Sequence, residues 1–317
     1  MLDQRITDSN FRFKLLLKYI VTLTIDEARG QRVAPLLFKK FQTSGIHGRN
    51  DMPEDIIPKG MTRGSPEHIL FLTLTVSIDY QRDAPALWES ARRTYEDGET
   101  RYLFSPKEIQ LTALTKNILD MQRYGLSKKH AKDAQIWRTN SLTFQKKWLG
   151  DPIRFLEDCK FDAPTIFNRL KNDAHFDGYR MSPDYLYLKG NKIAPLWLRM
   201  LRDNAGIDRI LNMDKIPIPV DVHVARATLA LGIVKGQYNG VPETVFAFIR
   251  QAWSFSVRDM MVNNRNMIAL DIDEPLWHLS KYGCTNRNTQ NGSCPKKMTC
   301  ELREFCISGK VDVSADM

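Results

Sequence analysis

Four of the five cysteines in this chain fall within 23 residues: Cys284, Cys294, Cys300 and Cys306, separated by nine, five and five residues. The segment that carries them, GCTNRNTQNGSCPKKMTCELREFC, is polar, basic and broken by Gly292 and Pro295. It holds too little apolar surface to order itself, so it needs a cross-link or a bound metal. Four thiolates suit a tetrahedral metal site or an iron–sulfur cluster. Two disulfides are the competing reading. The opening residues, MLDQRITDSNFRFKLL, carry charges throughout and no apolar signal-peptide core, which points to a reducing compartment and reduced thiols. Zinc competes with the cluster. All-thiolate zinc sites usually contain C-x2-C knuckles, and none occurs here.

The chain has 317 residues, enough for two domains. No apolar run is long enough to span a bilayer, so no membrane association is expected. With 46 basic and 37 acidic residues, the net charge of +9 is compatible with a polyanionic partner. The excess is concentrated. Between Met121 and Trp148 stand Arg123, Lys128, Lys129, Lys132, Arg138, Lys146 and Lys147, against Asp133 alone. The cysteine segment adds Lys281, Arg287, Lys296, Lys297 and Arg303. Such runs are ordinarily solvated faces. Two of them beside a metal loop suggest a phosphate backbone.

Periodicity is helical nearly everywhere, and no alternating strand ladder is evident. Residues 11–28 read as a helix. Residues 43–64, with Gly45, Gly48, Pro53, Pro58, Gly60 and Gly64, read as loop. Ser65-Pro66-Glu67 starts a nearly all-apolar helix with serine as its cap. Further helices are expected over DAPALWESARRTYE and residues 105–124, 127–144, 152–157 and 163–171. Ser182-Pro183-Asp184 opens a short helix, a tight turn follows at Leu188–Lys192, and a second helix, IAPLWLRMLRD, runs to a stop at Gly206. Turn amides between two helices can point at one phosphate, although an ordinary helical turn has the same pattern. Pro217 and Pro219 then force an extended entry into VDVHVAR, where Asp221 stands at a helix start. Asp221 reads there either as a plain N-cap or as a functional carboxylate. Trp197, Met200 and Trp253 read as core.

Hairpin, VD-x-HV-x-R and a late four-cysteine loop, in that order, resemble the helix–hairpin–helix DNA glycosylase superfamily, endonuclease-III-like enzymes in particular. SPEHILFLTLTVSIDYQRDAPALW and RYGLSKKHAKDAQIW are similar to earlier family segments, and IPIPVDVHVA is similar to an archaeal 8-oxoguanine glycosylase branch. Together these cover about residues 65–306. The hairpin here, LKGNKIA, is two residues shorter than the family's LPGVGxKTA and lacks its second glycine. Of the family's six, two, five cysteine spacing, the final five alone agrees. Residues 145–181 read as an insertion, and residues 1–60 have no counterpart.

The resemblance implies an all-α, two-lobed fold. Residues 1–64 would pack on the C-terminal lobe, 65–215 form a helical bundle ending in the hairpin, and 216–317 carry the catalytic aspartate and the metal loop. It implies a base-excision repair glycosylase, with or without lyase activity, acting as a monomer on double-stranded DNA holding a damaged base, in the cytoplasm or on a nucleoid. Asp221 matches the catalytic aspartate, Lys192 the nucleophilic lysine, and Lys189, Gly190 and Asn191 the phosphate-binding turn. Tyr80 and Gln81 would contact DNA at the lesion. Cys284, Cys294, Cys300 and Cys306 match the ligands of a [4Fe–4S] cluster, with zinc as the alternative. Two other readings stand beside this one: an inactive DNA-binding protein of the same fold, and a zinc-stapled helical interaction module.

Overall fold

The computed structural model describes residues 21–238, 241–288 and 291–307. The chain divides into two compact units. One runs from Asp51 to Pro219, and the other joins the residues up to Asn50 with those from Val220 on. The expected boundaries lay at 64 and 215. The first boundary moves because residues 51–64 are tied into the Asp51–Pro219 unit. The guanidinium of Arg199, wholly buried, pairs with the buried Glu54, and Asn204 Nδ2 donates to Asp55 Oδ1 at 2.7 Å.

The Asp51–Pro219 unit is built around helix Pro66–Val76. Ser65 caps it, its hydroxyl accepting from His68 N at 3.1 Å. From Ile69 to Val76 every side chain is buried. At about 1.5–3 kcal/mol for each fully buried large apolar side chain, this helix anchors the unit. Phe71 stacks on Phe104, and Phe104 meets Trp137 edge-on. Trp197 donates from Nε1 to Thr73 Oγ1 at 2.9 Å, so the buried indole is satisfied within the core. Helices Ala84–Glu96, His130–Trp148, Pro152–Asp158, Ala163–Asn172 and Ile193–Asp203 form where periodicity placed them. The stretch expected as one helix over 105–124 is two, Pro106–Ile109 and Leu114–Gln122.

The other unit packs helices Glu27–Ser44, Val222–Ala230, Pro242–Ser256 and Asp273–Tyr282. Helices Glu27–Ser44 and Pro242–Ser256 approach closely at Gly30, where a Cβ would lie 1.8 Å from Ser256 Oγ. Trp253 is buried and donates to Thr228 Oγ1 at 2.9 Å.

Three expectations are corrected. Of the helix expected over 11–28, residues 11–20 lie outside the described residues, and Val21–Ile25 is a strand. It pairs antiparallel with Val234–Tyr238, which supplies the backbone partners a helix would have made internally. Short two-stranded pairs are therefore present, with Ala174–Phe176 on Met181–Pro183 and Met261–Val262 on Arg265–Asn266 as further examples. Finally, the first helix of the expected hairpin is absent among the described residues. Residues 184–192 are a run of turns and bends. Buried Asn140 serves their backbone, with Nδ2 donating to Leu186 O at 3.0 Å and Oδ1 accepting from Leu186 N at 2.8 Å. Thr143 donates to Asp184 O at 2.8 Å, and Tyr187 sits at φ +61°, which no right-handed helix admits.

Candidate metal centre and nucleic-acid interface

Helix Asp273–Tyr282 ends at Gly283, and the cysteine segment follows as short 3-10 turns. Cys284, Cys294, Cys300 and Cys306 are all half-buried and free of disulfides. Burial pushes the Cys284 thiol up to about 12, and the charges of Cys300, Cys306 and Cys294 each push in the same direction. Burial likewise raises Cys300 to about 11, with Glu301, Cys306 and Cys294 adding to the rise against an amide hydrogen bond from Leu302. The charges of Cys294, Cys300 and Cys306 thus all reach Cys284. As thiolates the four would repel, and a metal centre is the group that relieves such repulsion. Arg287 Nη1 lies 3.8 Å from Cys306 Sγ, a donor to sulfur of the kind that metal-bound thiolates accept. The donor set therefore fits a metal or cluster. Cys159 stands apart in the Asp51–Pro219 unit, buried, its thiol raised to about 11 by desolvation.

The rest of the loop is held by residues from the start of the chain. Arg29 Nη2 donates to Phe305 O at 2.6 Å, and the guanidinium groups of Arg29 and Arg32 lie over the Phe305 ring. Ile307 N donates to Ala230 O at 3.0 Å, and Leu302 is buried.

Asp221 caps helix Val222–Ala230. Its Oδ1 accepts from both His223 N and Val224 N at 2.8 Å. Oδ1 alone makes the cap. His223 packs edge-on against Trp277, with Nδ1 3.2 Å from Ser280 Oγ.

The remaining candidates belong to the Asp51–Pro219 unit. Lys189, Gly190 and Asn191 are exposed in the turn run, where Gly190 O accepts from Ala194 N at 3.1 Å. Lys192 precedes helix Ile193–Asp203, and its Nζ lies 3.6 Å from Asp79 Oδ2. Sequence reasoning missed Asp79. Its signal was an acid closing an otherwise apolar helix run, directly before Tyr80 and Gln81.

Tyr80 and Gln81 gather the basic run around them. The rings of Tyr80 and Tyr187 lie 4.9 Å apart, tilted by 31°. The Tyr80 hydroxyl donates to Asp133, and burial, together with that carboxylate, pushes its acidity far down. Lys129 and Lys132 lie over the Tyr80 ring at 5.1 and 5.3 Å, and Lys132 also covers Tyr187 at 4.9 Å. Lys128 donates to Gln81 O, and Lys129 Nζ donates to Gln81 Oε1 at 2.8 Å. Gln81 is held at φ +52°, a conformation that costs a non-glycine residue about 1–2 kcal/mol. A strained polar turn ringed by three ammonium groups and two aromatic rings offers cations to phosphates and π-faces to bases. Asp133 and Tyr187 were not anticipated either. Their place comes from tertiary contacts 53 residues apart in one case and from an aromatic pair in the other.

No family model matches the sequence, and no curated protein matches it. Two solved structures are similar in chain course. One is a trapped endonuclease III–DNA covalent intermediate, an estranged-adenine complex, with 14% identity and a TM-score of 0.48, covering 90% of this chain and 98% of that one. The other is a non-covalent endonuclease III–DNA complex, with 14% identity and a TM-score of 0.49, covering 90% and 96%. Among the described residues, no helix is long and apolar enough to cross a membrane.

Proposed function

We propose that this chain is a DNA base-excision glycosylase, cleaving the N-glycosidic bond of a damaged base in duplex DNA, with a metal centre at its four late cysteines. The observation that carries the reading is the Asp221 carboxylate. It is fixed by two amides on one oxygen, at the end of a proline-stiffened entry, in a VD-x-HV-x-R segment resembling the glycosylases.

Cleavage of the N-glycosidic bond builds positive charge on the sugar. A carboxylate held in advance stabilises that charge without reorganising, which is worth more than a mobile one. The two backbone amides hold Asp221 by Oδ1, which leaves Oδ2 for this task. The base must leave the stack to be cut. Within the Asp51–Pro219 unit, the Tyr80–Gln81 turn, with Lys128, Lys129 and Lys132, would offer cations to a phosphate backbone and aromatic faces to bases. Lys189, Gly190 and Asn191 add an exposed phosphate contact.

The cysteines are ligands for a [4Fe–4S] cluster, with zinc as the alternative. The group supplies cross-linking and positive charge to a loop without a core of its own. Arg29, Arg32 and Arg287 hold the surrounding chain in place for it.

Lys192 has two readings. As an amine nucleophile it would form a Schiff base at the sugar and add lyase chemistry. In the other reading Lys192, whose Nζ lies 3.6 Å from Asp79 Oδ2, makes a phosphate contact in a monofunctional enzyme. Borohydride trapping on a duplex panel carrying oxidised, deaminated and alkylated bases separates them. Covalent adducts lost in Lys192→Gln support the nucleophile. Base release without adducts supports the phosphate contact, and no release from any duplex rejects the glycosylase.

A further inference from the structure

The cysteine loop has a fifth chemically apt neighbour. Beyond helix Glu27–Ser44 the chain makes a tight turn, with Ile46 N donating to Arg49 O at 2.8 Å and Arg49 N to Ile46 O at 3.1 Å. His47 lies at its tip with φ +51°, in the left-handed region that costs a residue with a Cβ about 1–2 kcal/mol. The turn is pinned to the cysteine segment on both flanks. Arg49 lies over the Tyr282 ring at 4.6 Å, and His47 N donates to Glu301 Oε1 at 3.2 Å.

The strained turn delivers the imidazole to Cys300. A ring nitrogen of His47, the Cys300 sulfur and a Glu301 carboxylate oxygen all lie within 4.8 Å of one another. His47 Nδ1 stands 3.7 Å from Glu301 Oε2, while buried Nε2 has no hydrogen-bond partner among the described residues. Room for the ring is made by Gly283, immediately before Cys284. A Cβ there would lie 2.4 Å from His47 Nε2 and 2.6 Å from Leu279 O. A half-buried imidazole with a ring nitrogen in reach of a cysteine sulfur, and a carboxylate beside it, is the arrangement of an outer-sphere group at a metal site.

We propose that His47 is an outer-sphere partner of the metal centre, its imidazole donating a hydrogen bond to the metal-bound sulfur of Cys300. The proposal rests on the reading of the four cysteines as ligands. Those four already complete the ligand set, so the histidine acts on sulfur rather than replacing it. A hydrogen bond to a cluster thiolate stabilises the more negative, reduced state. It raises the reduction potential and slows loss of the metal. His47 is thus a positioning and tuning residue. It also gives a role to residues 43–50, which the glycosylase resemblance leaves unmatched.

The test uses the full chain, wild type and two variants. His47→Phe removes the donor but keeps the ring, and His47→Gln keeps an N–H donor. Iron, sulfide and zinc content, the visible spectrum, the reduction potential by film electrochemistry and the rate of metal release to a chelator are measured on each. The expected result is a full metal complement in all three, with a more negative potential and several-fold faster release in His47→Phe, largely restored in His47→Gln. If the wild type carries zinc, the release rate alone is the readout and the same order of variants is expected. Equal potentials and release rates in wild type and His47→Phe would overturn the proposal. So would a three-iron spectrum in His47→Phe, which would make His47 a ligand. Wild-type protein holding no iron and no zinc would remove the centre itself, and that failure shows before any variant is made.

Discussion

Asp221→Asn separates a carboxylate that caps a helix from one that also does chemistry. In the structure both cap bonds, at 2.8 Å, go to Oδ1. Asparagine offers an amide oxygen in the same place and caps helices about as well as aspartate. The substitution therefore keeps both hydrogen bonds and removes one negative charge from a helix N-terminus, a loss of about 0.3–1 kcal/mol. Asp221→Ala loses the cap as well, at about 1 kcal/mol in total stability from that source. The catalytic effect is on a different scale. Removing a preorganised electrostatic contact to developing charge costs about 2.7–4 kcal/mol, or about 10²–10³ in rate. The assay is single-turnover base release from whichever duplex of the panel the wild type cuts, alongside urea unfolding of all three proteins. The expected pattern is near-wild-type stability in Asp221→Asn with release slowed by about two to three orders of magnitude. Release at the wild-type rate in Asp221→Asn, with stability lost only in Asp221→Ala, would reduce Asp221 to a plain cap.

Lys192→Gln should abolish borohydride adducts if Lys192 is the nucleophile. Adducts that survive Lys192→Gln would move the nucleophile to Lys189 or elsewhere, as peptide mapping of the cross-link would show. If the four late cysteines hold a metal that orders the loop, Cys294→Ser should lower bound metal and the thermal midpoint together, while Cys159→Ser should leave metal content unchanged. His68 carries a pH dependence. Its imidazole, buried in the fold and accepting from Gly64 N at 3.1 Å, is lowered to about 4 by desolvation and then by Arg63. The unfolded chain takes up that proton at about 6.5. The contribution of His68 is therefore intact above pH 6.5 and lost as pH falls towards 4. Thermal midpoints across this window should fall less steeply in His68→Gln, and equal slopes would count against the assignment.

The sequence announced the features that depend on near neighbours. Ser65 with Pro66 marked a helix start that the Ser65–His68 bond realises. Asp83, Asp151 and Asp162 cap helices at proline-bearing starts in the same way. The buried indoles of Trp197 and Trp253 were legible as core. What escaped was set by partners far along the chain. Val21–Ile25 carries four β-branched residues, a strand signal that the helical reading passed over, and its partner Val234–Tyr238 lies about 210 residues away. The segment after Pro183 carries helix signals, but Asn140 and Thr143 take up its backbone groups and hold it in turns. Asp79 and Tyr187 acquire their surroundings the same way, from Lys192 and from Tyr80. Residues such as Asn140 give no local sign of this work, since a buried asparagine in a helix looks from sequence like a polar position on the surface.

The cysteine segment also depends on the beginning of the chain more than its own composition suggests. It has few apolar residues to bury, and Leu302 is the one large aliphatic side chain of the loop that goes fully inside. Its order comes from outside. Phe305 is held through its carbonyl by Arg29 and across its ring by Arg29 and Arg32. Glu301 is met by His47, and Tyr282 by Arg49. Those four residues lie between positions 29 and 49, on a segment closed against the later part of the unit by the strand pair at Val21–Ile25. The supports and the thiols are therefore some 250 residues apart in sequence, as the His47–Glu301 separation of 254 residues measures. A four-thiol site supported at that distance cannot be completed by its own loop. On the proposed reading the loop would supply ligands, the early helix and turn would supply the geometry, and the centre would form only once both ends of the unit have met.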